Sequence, residues 1–482
     1  MKNEKTKQPE RAAALGSSLL ILLVCVAILS YCIIGLGKDV HVPLAFCCGV
    51  LMLYGIFFMH INWTKLKDAM IESVASGIEV FIIILLIGST IGTWIASGTV
   101  PIIIYYGLQI FSPKFFLVSI LVICCIMSMV TGSSWTTMGT IGIAFMGVGV
   151  GLGVNPAITA GVIACGAFFG DKQSPVSDST NYAAAVAGTD LYKHVHSMLY
   201  TTGPAIIVTA IICVVIGLRT SGTGDTTAVQ EIMTGLKGAY NLNPALLLPL
   251  IIMIVLIVMK VPAIPTMMIA AVMGIVFAMI FQGFSLSDAC GFFYSGFVGN
   301  TGNAVIDKLL TRGGMSSMYY TIGIMIWSLS MAGLMQSCGI ISAIMAKAEN
   351  ITKTIRGVVI TQLISGYVLS FIAADPYLAM ILPARAFADK YDALGVDRMV
   401  MSRTCEDGGT IVCPMVPWGT SGVYTAATLG VATGAYLPYY FLGYINPLFS
   451  IICACTGWGI FKATPEELER LKKEKEKMAG VE

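Results

Sequence analysis

The sequence predicts an all-α polytopic membrane protein of about ten transmembrane helices plus two re-entrant hairpins, arranged as inverted structural repeats with two discontinuous helices. Three observations carry that prediction. Of 482 residues, 56% are hydrophobic and 11% charged, and the mean hydropathy of +0.84 lies far above that of soluble domains. Apolar runs of about 20 residues, the length that crosses roughly 30 Å of hydrocarbon, recur along the chain. Two of these runs are broken by polar, proline-containing stretches, at 170–181 and 405–424, that hydrocarbon does not tolerate cheaply.

The chain opens on MKNEKTKQPER and closes on EELERLKKEKEK, so residues 1–16 and 462–482 are expected as charged cytoplasmic tails. Residues 17–36 follow basic residues as a signal peptide would. They are nevertheless long enough to span and show no clear small-x-small cleavage site, so a retained first helix is expected. Further spans follow at 43–61, 72–97, 156–187 and 195–218. After an inter-repeat loop at 220–243, a matching set lies at 244–260, 263–282, 317–337, 399–430 and 436–461, which makes 17–219 and 244–461 two transmembrane repeats. Thr464, with Glu467 three residues on, starts an amphipathic tail helix. Between the third and fourth member of each set sits an apolar stretch with a polar tip, TGSSWTT at 131–137 and AADP at 373–376. Each reads as a re-entrant hairpin, because such a tip suits a cavity and not lipid.

Sliding the chain on itself by about 242 residues aligns Gly153 with Gly395, Gly166 with Gly408, Pro175 with Pro417, Ser179 with Ser421, Tyr182 with Tyr424 and Gly188 with Gly430. Gly98 meets Gly339 one residue earlier, and Asp68 meets Asp288 at a shift of about 220, so the second repeat holds about twenty extra residues within 291–314. Five crossings and a non-crossing hairpin make each repeat odd, which turns the second upside down. Charge agrees: with both ends inside, the outer loops hold only Lys38, Lys114, Arg219, Lys237, Lys308 and Arg312 of the 28 basic residues. Inverted repeats with paired broken helices are the organisation of secondary transporters, whose sites lie near the midplane where the repeats meet.

The first break supplies hard oxygen from Asp171, Ser174, Ser177, Asp178, Ser179, Thr180 and Asn181, and hard oxygen suits small alkali cations. Carbonyls freed at one half-helix end favour a cation, and amides at the start of the other favour an anion. The competing reading is a solvent loop between ordinary helices, but 156–169 is too short to span alone. The second break repeats the design with Glu406, Asp407, Thr410, Thr420 and Ser421, and Pro414 and Pro417 prevent regular helix. Asp375, at a hairpin tip, either binds or carries a proton, or simply caps the turn. Lys172 either pairs with an acid of the empty site or snorkels to water. A carboxylate in a partly dry cavity is pulled toward protonation by desolvation and away from it by a cation, so one site can exchange Na⁺ for H⁺. Asp171, Asp178, Asp375 and Asp407 are the proton-coupling candidates.

Other features carry less. The run Gly147, Gly149, Gly151 and Gly153 lacks the strand and Lys-Ser/Thr of a nucleotide loop, and no Walker A sequence occurs, which disfavours an ATP-driven pump. The 14 cysteines sit mostly in apolar runs with no CxxC pair, as buried thiols do, and the four histidines show no metal-binding spacing. No enzyme activity, cofactor or nucleic-acid partner is expected.

The stretch FFGDKQSPVSDSTNYAAAVAGTDLYKHVHSMLYTTGPA, at 168–205, closely resembles the NhaC family of Na⁺/H⁺ antiporters, and CEDGGTIVCPMVPWGTSGVY at 405–424 extends the likeness. The resemblance implies Na⁺ or Li⁺ exchange for H⁺ by alternating access in the cytoplasmic membrane of a prokaryote. It implies Na⁺ at Ser179, Thr180 and Asn181 of the DSTN run and at Thr420 and Ser421 of the GTSG run, and a homodimer. The same family includes Na⁺- and H⁺-coupled exchangers of small carboxylates such as malate and lactate, which stand as the alternative. An anion would want a fixed positive group, for which Lys172 and Arg403 are the basic residues close to the breaks. A passive channel and a non-transporting scaffold are further alternatives that the paired breaks oppose.

Overall fold

A computed structural model describes residues 14–220, 226–466 and 469. Most of the expected tails, including Glu467 of the expected tail helix, and residues 221–225 of the inter-repeat loop lie outside the described residues. Up to Thr220 the chain forms α1 (Leu15–Ser30), α2 (His41–Leu53), α3 (Trp63–Ala75), α4 (Ile78–Ser97), α5 (Thr99–Ile110), α6 (Phe116–Thr131), α7 (Ser134–Thr137), α8 (Ile143–Gly151), α9 (Pro156–Gln173), α10 (Asp178–Ala187) and α11 (Leu191–Thr220). Then come α12 (Thr226–Ala239), α13 (Leu248–Val258), α14 (Ala263–Gln282), α15 (Leu286–Ser295), α16 (Ala304–Leu310), α17 (Tyr319–Ser337), α18 (Ile340–Ile351) and α19 (Ile355–Ala373). The last are α20 (Pro376–Ala393), α21 (Arg398–Gly408), α22 (Thr420–Leu429), α23 (Thr433–Tyr436) and α24 (Phe441–Thr456). Extended pairing among the described residues is limited to two isolated bridges, Phe297–Arg312 and Val396–Lys462.

Among the described residues, seven helices are long and apolar enough to cross a membrane, or up to nine if each of two bent pairs, Val229–Ala239 with Pro244–Val258 (103°) and Thr433–Tyr439 with Phe441–Thr456 (51°), is one span. Long apolar side chains stay exposed along their outer faces, as Ile207, Ile211, Val215 and Leu218 do on α11. A stripe of that kind at helical spacing is what a lipid-facing surface requires. The expected span at 72–97 begins later than its apolar content suggested. Lys65, Lys67, Asp68 and Glu72 keep α3 exposed as a separate amphipathic helix, so the crossing starts at Ile78. The interrupted spans expected at 156–187 and 399–430 are α9–α10 and α21–α22, each a pair of helices with irregular chain between them, and α9 is the longest of the four at 18 residues.

The same local devices recur about 242 residues apart. Gly132 and Ala374 both turn left-handed, at φ 66° and 55°, at the hairpin tips between α6 and α7 and between α19 and α20. The next residue caps the returning helix in each case, Ser133 accepting from Thr136 N–H and Asp375 from Leu378 N–H. Asn155 and Asp397 cap α9 and α21, and left-handed Gly188 and Gly430 end α10 and α22. Close backbone approach is also duplicated. A Cβ on Gly166 would stand 2.6 Å from the Leu121 carbonyl oxygen, and one on Gly408 would stand 2.7 Å from that of Leu363. Each hairpin's first arm therefore locks against the broken helix that follows it. The stretch holding the expected extra residues folds as α15, a loop and α16, and it clamps α4: Gly314 N–H donates to the Gly88 carbonyl at 2.6 Å.

Candidate ion-binding site

Both hairpin tips and both breaks open onto one cavity of about 1590 Å³. Its walls include 131–136 of the first tip, Asp375 to Leu378 of the second, Asp171 and Pro175 to Ser179 of the first break, and Thr410, Thr420, Ser421 and Tyr424 of the second. It is also lined by α3, the start of α4 and the 257–263 turn. Six carboxylates line it, those of Asp68, Glu72, Glu79, Asp171, Asp178 and Asp375, against two ammonium groups, Lys65 and Lys260. A cleft with that imbalance and low-dielectric walls concentrates cations.

At the first break, α9 stops at Gln173 because Pro175 cannot continue it, and α10 restarts at Asp178. Only 174–177 is irregular, a shorter break than the polar stretch suggested. The backbone there is satisfied locally. Asn181 Nδ2 donates to the Pro175 and Ser177 carbonyls at 2.9 and 2.8 Å, and Thr180 Oγ1 donates to those of Asp171 and Lys172 at 3.2 and 3.3 Å. The carboxylate of Asp171 is the focus of the site. Ser177 Oγ donates to Oδ1 at 2.6 Å, and Ser134 Oγ, from the hairpin tip, donates to Oδ2 at 2.7 Å. Ser179 lies 3.2 Å from Ser177, oxygen to oxygen. Carboxylate and hydroxyl oxygens keep spare lone pairs in this arrangement, so the group can accept a desolvated cation or a proton at one place. The negative side chain of Asp178 also stands at the start of α10, where the helix dipole favours it.

The second break is longer, with 409–419 holding a 3₁₀ turn, Cys413–Met415. Its carbonyls are already engaged: Tyr440 Oη donates to Ile411 at 3.0 Å, and Tyr436 Oη donates to Pro414 at 2.5 Å. Tip and break touch across the cavity. Thr420 N–H donates to the Ala374 carbonyl at 3.0 Å. Tyr424 Oη donates to the Trp135 carbonyl at 2.7 Å, and the two rings stack with centroids 4.3 Å apart. Gly422 is required by crowding, because a Cβ there would stand 2.0 Å from the Val416 carbonyl oxygen.

Of the residues singled out from sequence, Asp171, Ser177, Asp178, Ser179, Asn181, Asp375, Thr410, Thr420 and Ser421 line this cavity. Asp375 also caps α20, Leu378 N–H donating to it at 2.8 Å. Ser174, Thr180 and Asp407 do not line it. Ser174 accepts from Val176 N–H at 3.4 Å, and Thr180 points at the carbonyls already named. Asp407 is fully buried away from the cavity, where Thr201 Oγ1 and Asn446 Nδ2 donate to Oδ1 at 3.1 and 2.8 Å. Lys172 does not snorkel. It pairs with Glu406 at 2.9 Å with both groups buried, and Thr410 also donates to Glu406. Arg403 is buried too, Nη1 donating to the carbonyls of Ser197 and Gly459. Neither basic residue close to the breaks therefore faces the cavity.

Sequence reasoning missed Ser134, Trp135, the acids of α3 and the Lys172–Glu406 bond. Ser134 stood within the polar tip already noted, and Lys172 adjoined a candidate acid; nothing in the pattern pointed to α3. All 14 cysteines are free, with only Cys290 and Cys455 exposed. Among the described residues, no three His, Cys, Asp or Glu side chains gather as metal ligands.

The Na⁺/H⁺ antiporter family model matches residues 166–458, which span both breaks and the second hairpin. The chain is 37% identical to the Na⁺/H⁺ antiporter NhaC of Alkalihalophilus pseudofirmus, over 94% of this chain and 98% of that one. It is 36% identical to the malate-2H⁺/Na⁺-lactate antiporter of Bacillus subtilis, over 93% and 96% of the two chains. It is also 34% identical to the arginine/ornithine antiporter ArcD of Halobacterium salinarum, over 95% of both. With its hairpin tips and breaks gathered on one acidic cavity and relatives matched nearly end to end, the chain belongs to the NhaC-type Na⁺/H⁺ antiporter family.

Proposed function

We propose that this chain exchanges Na⁺ or Li⁺ for H⁺ across the cytoplasmic membrane of a prokaryote by alternating access. Asp171 is the carboxylate that holds the cation and the proton in turn. The observation that carries the reading is the Asp171 carboxylate held by hydroxyls of two separate elements, Ser134 and Ser177, in a cavity walled by six acids. Na⁺ binding at Asp171, with Ser177, Ser179 and Ser134 supplying neutral oxygen, expels the proton. Asp178, Asn181, Asp375, Thr420 and Ser421 complete the lining through which the ion arrives. Thr180 acts by holding the break's backbone.

The repeats are inverted in this reading, with 17–219 and 244–461 in opposite senses, both termini cytoplasmic and two copies forming a homodimer. That orientation puts α3 and the 257–263 turn at the cytoplasm, so the cavity is inward-open. Closure would slide the tip–break contacts, Trp135 on Tyr424 and Ala374 on Thr420, against each other. The carboxylate-coupled alternative has a relative in its favour, but Lys172 and Arg403, the basic residues it would use, are engaged elsewhere. The test is flux in proteoliposomes holding a pH dye, with Na⁺, Li⁺, K⁺, arginine, malate and lactate offered separately. Na⁺-dependent proton movement without any organic solute supports the reading, and a strict need for malate, lactate or arginine overturns it.

A further inference from the structure

Behind α21, on the side away from the cavity, runs a second polar seam. His194, Ser197 and Thr201 recur at i, i+3 and i+7 on α11, so they share one face. That face meets Ser402, Arg403 and Asp407 on α21: His194 Nδ1 bonds Ser402, the Ser197 carbonyl accepts from Arg403, and Thr201 donates to Asp407. Asn446 of α24 closes the third side by donating to Asp407. Every one of these side chains is fully buried.

The seam is polar beyond what its own contacts satisfy. Arg403 Nε and Nη2, His194 Nε2, Ser197 Oγ and Asn446 Oδ1 are buried with no protein partner. Leaving one such group dry costs about 1–3 kcal/mol, and more for a charged one, so sites of this kind hold ordered water. The mixture of donors and acceptors is what water, and no single ion, would satisfy. One end of the seam reaches solvent. Arg403 Nη1 bonds the Gly459 carbonyl in the turn after α24, where Trp458 is 46% exposed. Asp407 marks the other end, and its chain neighbour Glu406 bonds Thr410, which lines the ion cavity.

We propose that this seam is a hydrated proton route separate from the cation cavity, running from the 457–460 turn to Asp407. The proposal rests on Na⁺/H⁺ exchange at the cavity. A proton entering at the turn passes from water to water as each relays one of its own, and arrives on the Asp407 carboxylate. Asp407 returns to its ionised form when the proton is handed on past Glu406 and Thr410 to the cavity. Lys172 from α9, His194 from α11, Tyr367 from α19, Tyr391 from α20, Cys453 from α24, and Arg403, Cys405 and Glu406 of α21 itself are the titratable groups around that end of the seam. Two positive and two negative side chains leave it close to neutral, so a proton is not repelled from it.

The test separates proton-coupled from proton-free transport in vesicles of the full chain. Ser197→Leu fills the seam and Ser197→Ala leaves it open. Ser197→Leu is expected to slow Na⁺-driven proton flux at least tenfold while radiosodium-for-Na⁺ exchange stays within about twofold, and Ser197→Ala, which removes one hydroxyl but keeps the space for water, to slow proton flux less than Ser197→Leu does. Equal loss of both modes in Ser197→Leu, or loss of neither, overturns the proposal. Should Ser197→Leu not fold, radiolytic hydroxyl labelling of the unmodified protein decides. Cys453 is buried and bonds the Tyr200 carbonyl beside the seam, and it is expected to be modified at least tenfold faster than Cys124, equally buried between α6 and α9. Matching rates at the two thiols overturn the proposal. If the unmodified chain shows no Na⁺-dependent proton flux, the parent reading has failed and the seam with it; a failed seam alone leaves that flux intact.

Discussion

Replacing Lys172 by methionine should destabilise the protein more than any change at the cavity surface. The ammonium lies 2.9 Å from Glu406 Oε2 with 1% of Lys172 and 0% of Glu406 exposed. At an effective dielectric near 20 the attraction across that distance is about 6 kcal/mol. Desolvating the two groups costs several kcal/mol each, so the pair as a whole contributes little. Removing one partner is a different matter, because a buried carboxylate is then left unmatched at a cost of about 3–5 kcal/mol. Lys172→Met should therefore lower the unfolding temperature in detergent by several degrees, read by intrinsic fluorescence. Adding Glu406→Gln should restore most of the loss, since the amide is neutral and still accepts from Thr410. A single variant as stable as the unmodified protein, or a double variant worse than Lys172→Met alone, would refute the reasoning that this pair is a desolvated charge bond joining the two broken helices.

Gly422→Ala should leave the protein poorly assembled or inactive, because its Cβ would lie 2.0 Å from the Val416 carbonyl oxygen; monodispersity on size exclusion and flux check it. Asp178→Asn should abolish Na⁺-dependent proton flux while folded protein persists in the membrane, since it removes a charge from the cavity wall. Asp407→Asn should abolish the same flux but spare radiosodium exchange, because Asp407 lies off the cavity. Ala374→Gly should raise thermal stability by about 1 kcal/mol, as glycine relieves the left-handed φ of 55° at the second tip; loss of stability there would contradict it.

Much of the fold was legible because its punctuation is chemical. Gly188 and Gly430 end half-helices left-handed, and Pro175 stops α9, so residue type alone marked those places. Gly166 and Gly408 were aligned from sequence, and both turn out to be points where a hairpin arm meets a carbonyl. Legibility failed where hydropathy and position compete. Residues 72–97 read as one span because the apolar average masked Glu72 and the break between α3 and α4 at 76–77, and α3 instead lines the cavity. The segments at 99–110 and 340–351 form helices of their own before each hairpin, a division that apolar content does not reveal. Within the site, nine of the residues lining the cavity came from local composition. The placement of Asp407 did not, because a helix presents neighbouring residues about 100° apart. Glu406 and Asp407 thus face different partners, Lys172 in one case and Thr201 with Asn446 in the other. Contacts across more than two hundred residues have no signature in a single sequence.

Proton flux driven by Na⁺ in proteoliposomes of Asp171→Asn is the most direct measurement of the central claim, that the carboxylate held by Ser134 and Ser177 exchanges the ion for the proton. Flux lost in Asp171→Asn and partly kept in Asp171→Glu, with both variants monodisperse, is the result this account requires. Flux at the unmodified rate in Asp171→Asn would contradict it.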